Sequence, residues 1–84
     1  MPSALFVFNN GRFVHFAEVK AVLTENFYIK VFFPDDSVII YNRENIQSFA
    51  IGNIADQMAK VVEREAPDLI LFISSKGMRK GDEK

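Results

Sequence analysis

Apolar positions crowd the first third of the chain without the usual polar alternation. Two β-forming runs, ALFVF from residue 4 and RFVHFAEV from residue 12, flank Asn10 and Gly11. That pair supports the positive φ angles of a two-residue type I′ turn. Such a turn sets Phe8 opposite Phe13, Val7 opposite Val14, Phe6 opposite His15 and Leu5 opposite Phe16. Both faces of the hairpin are then apolar, although a small antiparallel hairpin usually keeps one face polar. Each face therefore needs a cover.

The run over residues 12–23 is about twice the usual strand length. Its first half is apolar on both faces. Its second half places Glu18 and Lys20 on one of them. A strand that bends or bulges and changes partners produces this pattern. Thr24, Glu25 and Asn26 predict a three-residue turn that sets Leu23 against Phe27, Ala21 against Ile29 and Val19 against Val31. A one-residue slip inverts every side chain, so burial selects that register over a two-residue loop. Pro34, Asp35, Asp36 and Ser37 form the next turn by composition, which pairs Phe33 with Val38 and Val31 with Ile40.

Residues 46–51 predict a short fifth strand, broken by Gly52. Asn53 is the expected N-cap of a helix that ends before Pro67, with Asp56 in its first turn. Ile54, Ala55, Met58, Val61, Val62 and Ala66 form its apolar stripe, and Asp56 and Lys60 a favourable pair four residues apart. The continuous apolar run 69–73 predicts a buried strand. Residues 1–75 make one α+β domain, a mainly antiparallel five- or six-stranded sheet with one helix near the C-terminus. Residues 76–84 predict a flexible charged tail.

One helix shields one face of such a sheet. The other face carries Leu5, Val7, Val14, Phe16, Tyr28, Phe32, Ile39 and Tyr41, mixed with Glu18, Lys20 and Lys30. Contiguous exposed patches of that kind mark contacts. If half of these side chains gain burial at about 1.5–3 kcal/mol each, the drive is on the order of 6–12 kcal/mol before association costs. Either the sheet curls into a small barrel or a second copy covers it. The mixture of aromatic and charged groups favours a homodimer interface with a polar rim. The interface candidates are Leu5, Val7, Val14, Phe16, Tyr28, Lys30, Phe32, Ile39 and Tyr41.

Composition narrows the partners. The chain has 84 residues, no Cys, no Trp, nine Phe and a formal net charge of −1. No disulfide framework and no thiolate metal site can form. A duplex-binding protein usually shows a basic surplus that is missing here. The longest apolar run is too short to span a bilayer, and residues 1–8 lack the pattern of a secretory signal, so no membrane partner and a cytoplasmic location are expected.

Candidate chemistry is sparse. His15, the one imidazole, falls on the expected core face among Phe6, Phe13 and Ala17, where a hydrogen-bonded structural histidine is the commoner outcome. A role as general base or pH switch needs a carboxylate in reach, for which Glu44 is the candidate. No Ser/His/Asp order, phosphate-cradling glycine loop or paired-histidine metal signature occurs. Asp35 and Asp36 read as turn formers, with too few neighbouring oxygens for a calcium loop. The polar cluster Asn42, Arg43, Glu44 and Asn45 reads as a solvated loop. No catalytic residue, cofactor or metal is expected.

Phe16, Tyr28, Lys30, Phe32 and Tyr41 also describe an aromatic and basic platform of the kind that stacks single-stranded nucleic acid. The long bent strand over 12–23 resembles that of Sm-like and SH3-like small barrels in strand pattern, although the helix follows the strands here. Fold alone does not carry function. The sequence reading is a small non-catalytic interaction module that self-associates through the second sheet face. Another protein partner is an open option, and single-stranded nucleic-acid binding is the alternative.

Overall fold

The computed structural model describes residues 1–74. The fold is α+β, with seven strands in two sheets and one helix. In chain order these are β1 (Ala4–Phe8), β2 (Phe13–Phe16), β3 (Ala21–Thr24), β4 (Tyr28–Phe32), β5 (Val38–Asn42), β6 (Ile46–Ile51), α1 (Asn53–Glu65) and β7 (Ile70–Ile73). The first sheet runs β6-β1-β2-β7 and the second β3-β4-β5. All pairings are antiparallel except β2 with β7, which is parallel. The sheets do not close into a barrel. The tail expected over 76–84, and residue 75 of the expected domain, lie outside the described residues.

The long run 12–23 does change partners. It leaves the first sheet after Phe16 and enters the second at Ala21. In the segment between, Val19 N–H donates to the Pro2 carbonyl at 2.7 Å and Lys20 N–H to the Phe32 carbonyl at 2.7 Å. One continuous strand is thus split between two layers.

The first turn differs from the two-residue expectation. It holds three residues, Asn9, Asn10 and Gly11, and is closed by Phe8 N–H on the Arg12 carbonyl at 2.9 Å. Gly11 takes the positive φ of 87° and Asn10 does not, so this is a type I turn with a glycine bulge. Val7 now faces Phe13, Phe6 faces Val14, Leu5 faces His15 and Ala4 faces Phe16. The hairpin is apolar on both sides, so a slip of one residue exposes nothing new, and hydrophobicity could not select the register.

The other two turns shift registers as well. The β3–β4 turn closes at Glu25 N–H on the Tyr28 carbonyl, leaving Asn26 and Phe27 at the tip. Ala21 faces Phe32 and Leu23 faces Lys30, which turns Ala21 and Leu23 to the face opposite Ile29 and Val31. The β4–β5 turn repeats the first one. Phe33 N–H bonds the Ser37 carbonyl, and Asp36 takes the positive φ of 72°. Val31 then faces Ile39 and Phe32 faces Val38.

Both faces of the β1–β2 hairpin are covered by the chain itself. On one side Leu5 packs with Ala55 and Ala59 of α1, with Phe13, Ala50 and Ile70 around them. On the other, Ala4, Phe6 and Phe16 of the first sheet meet Val19, Ile29, Val31 and Phe33. Phe16 and Phe33 meet edge-on at 5.1 Å, and Phe6 lies 5.6 Å from Tyr41. Such aromatic pairs contribute about 0.5–1.5 kcal/mol beyond area burial. The cover expected from a second copy is therefore a second sheet of the same chain.

The helix begins at Gly52, which adopts φ 92° and ψ −149° as the cap. Asn53 is its first helical residue rather than the cap, and no side chain caps the end. Its inward face is also narrower than expected. Ala55 and Ala59 are buried, whereas Ile54, Met58 and Val61 stay exposed. Two alanines let the helix axis approach the sheet closely. At about 100° per residue, that turns Ile54, Met58 and Val61 to one flank and Asp56 to the other. β7 forms where expected, but as an edge strand with Leu71 and Phe72 exposed rather than buried.

Candidate interaction surface

The outer face of the second sheet is apolar, and none of the described residues covers it. Register alternation places Ala21, Leu23, Tyr28, Lys30, Phe32, Val38, Ile40 and Asn42 on it. Leu23 is 47% exposed, Tyr28 46%, Val38 44% and Ile40 54%, so this is a contiguous patch rather than scattered single residues. Phe27, at the β3–β4 tip, is 75% exposed beside it.

Charge sits at the ends of this patch. Lys30 is the one ionic side chain on the face, and its Nζ lies 3.5 Å from Glu25 Oε1 at the β3–β4 end. The aliphatic stem of such a lysine covers apolar surface while its head stays wet. At the opposite end Lys20 Nζ lies 3.3 Å from Asp36 Oδ1. Arg43 Nη1 donates to the Glu25 carbonyl at 2.9 Å and lines an open cleft of about 430 Å³ with Asn26, Phe27, Tyr28, Asn42 and Glu44. The polar cluster after β5 thus borders the apolar face.

The structure divides the interface candidates between the two sides of the sheets. Tyr28, Lys30 and Phe32 lie together on the open outer face. Leu5 and Phe16 are fully buried, Leu5 under the helix and Phe16 between the sheets. Val7 is half-buried on the helix side. Val14, Ile39 and Tyr41 pack half-buried against the inter-sheet core, where desolvation raises the Tyr41 phenol above its ordinary pKa. Leu5, Val7, Val14, Phe16, Ile39 and Tyr41 thus serve the chain's own core. Leu23, Val38 and Ile40 escaped the sequence reading because the turn lengths that aim them outward carry no distinct residue signal. Phe27, expected in a strand opposite Leu23, sits instead at the turn tip.

A second polar cluster joins three segments. His15 Nε2 lies 3.0 Å from Asp56 Oδ1, and Ser3 Oγ donates to the same oxygen at 2.6 Å. The carboxylate can only accept, so the imidazole nitrogen donates. These bonds hold Asp56 below the usual carboxylate pKa, with the Ser3 bond the largest cause and the His15 bond next. The acid beside His15 is therefore Asp56 rather than Glu44, whose carbonyl accepts from Asn9 Nδ2 instead. The Phe72 ring lies 5.4 Å from the imidazole. Ser3 and His15 thus share one carboxylate oxygen as acceptor. The evident effect is to tie α1 to β2 and to the segment before β1. Among the described residues no group of three or more His, Asp or Glu side chains is placed to hold a metal ion, and no helix is long and apolar enough to cross a membrane. No protein-family model, no curated protein and no solved structure matches this chain.

Proposed function

We propose that this chain is a non-catalytic interaction module that self-associates face to face through the outer side of β3, β4 and β5. The observation that carries this reading is the exposed cluster Leu23, Tyr28, Val38 and Ile40 on one sheet face. Fully burying such a side chain contributes about 1.5–3 kcal/mol, and these are already half covered. Two copies bring eight of them, roughly 6–12 kcal/mol, against association costs of 4 kcal/mol or more. The contact belongs to the weak, concentration-dependent class. A second copy fits best because the lone charge on the face is neutralised by Glu25 of its own chain. That leaves no net field for an acidic partner or a phosphate backbone. Two such faces pack as aligned sheets about a two-fold axis, with the ion pairs at the rim.

Sedimentation equilibrium from micromolar to millimolar concentration tests it. The mass should rise from one chain to two or more. Ile40→Asp, at a position 54% exposed, should keep the melting temperature and lower the mass reached at the highest concentration. A single-chain mass throughout removes the proposal. Binding of a labelled oligonucleotide at low salt, abolished by Ile40→Asp, would transfer the face to single-stranded nucleic acid.

A further inference from the structure

Among the described residues no strand pairs with the outer side of β7, and β7 carries no polar side chain. Its sequence is ILFI, whereas β3 ends in Thr24, β5 ends in Asn42 and β6 contains Gln47 and Ser48. Natural edges are usually guarded by charge, proline or a bulge, and β7 has none within its four residues. Leu71 is 58% exposed and Phe72 44%, and they point to opposite faces of the sheet. No strand lies beyond β7 among the described residues.

The main chain says what fits there. Ala17 N–H donates to the Ile73 carbonyl at 2.8 Å, so Ile73 aims its backbone groups at β2. Alternation along the ladder aims those of Leu71 the same way, and those of Ile70 and Phe72 outward. An occupant must supply donors and acceptors at strand spacing and cover apolar side chains above and below. Only an extended strand does both.

We infer that β7 pairs antiparallel with β7 of a second copy, joining two four-stranded sheets into one. A two-fold axis perpendicular to the sheet keeps each face on its own side, so only residues of like parity can oppose each other. One such register places Leu71 against Leu71 of the other copy as the close non-hydrogen-bonded pair. Ile70 of each copy then faces Phe72 of the other. The outward N–H and C=O groups of Ile70 and Phe72 are all satisfied, and both exposed side chains gain a neighbour. The flanking charge of Asp68 lies outside the paired residues. The contact is independent of the face-to-face one, and with both in place the chain assembles beyond a dimer.

Residue-resolved amide hydrogen exchange on the full chain, at low and high concentration, tests this directly. The Ile70 and Phe72 amides should slow about tenfold or more as the mass rises, because no partner closes them among the described residues of one chain. Leu71→Lys sets like charges opposite each other, at a site exposed enough to spare the fold, and should remove that protection. Ile40→Asp should leave it intact. Unchanged exchange at these amides while the mass still rises overturns the strand pairing and leaves the face-to-face reading standing. Protection that survives Leu71→Lys but disappears in Ile40→Asp overturns it equally. A single-chain mass at every concentration overturns both.

Discussion

Replacing Phe16 separates a chain that covers its own second face from one that needs a partner to do so. Phe16 is 1% exposed and sits between the sheets, 5.1 Å from the Phe33 ring and 5.9 Å from that of Phe6. Truncating a core Phe to Ala costs about 3–5 kcal/mol through lost transfer energy and an unfilled cavity. Domains carry roughly 0.05–0.15 kcal/mol of stability per residue, which is about 4–13 kcal/mol for a chain of 84 residues. Phe16→Ala therefore removes about a quarter or more of the total. At about 4–8 °C per kcal/mol for a domain of this size, the midpoint should fall by roughly 12–40 °C. Phe16→Glu adds a desolvated carboxylate and should unfold the chain outright. Phe32→Ala, on the outer sheet face, removes a half-buried ring and should cost clearly less. Thermal melts followed by circular dichroism at dilute concentration read all three. A Phe16→Glu chain that stays folded as a single copy would refute the two-layer packing, because it would place Phe16 on a surface.

Two further perturbations test the helix junction. The Asp56 carboxyl is held below its ordinary pKa in the fold, so its contribution to stability is fully present above the unfolded value, near pH 4. That contribution fades as pH falls through the lower folded value, so Asp56→Asn should flatten the acid limb of the stability curve relative to the parent, measured by urea denaturation from pH 6 to pH 2. Identical acid limbs would show that the Ser3 and His15 bonds contribute nothing. Gly52→Ala should lower stability by roughly 1–3 kcal/mol in the same assay, because φ 92° with ψ −149° is a region nearly restricted to glycine. The added methyl meets no atom within 4 Å, so any loss comes from the backbone alone, and a neutral result would refute the cap geometry.

Much of the architecture was legible along the chain. Apolar residues on both sides of the first hairpin demanded two covers, and the changing pattern over 12–23 marked a strand that switches partners. Pro67 ended the helix, and the run 69–73 was a strand. These features are local, set by side-chain period and by what proline permits. Tertiary structure alone decided the rest. Whether Asn9 joins Asn10 and Gly11 in the turn changes which side of the sheet Phe16 and Leu5 occupy. Because both sides are buried, the hydrophobic pattern scores the alternatives equally. At the next two turns both faces are apolar although one is exposed, which hid the outward aim of Leu23, Val38 and Ile40. The helix presents Ala55 and Ala59 to Leu5 because small side chains allow a close approach, which a stripe drawn around Ile54 and Met58 cannot anticipate. His15 finds Asp56 across 41 residues of sequence, a pairing set by how the helix lies on the sheet and not by any spacing.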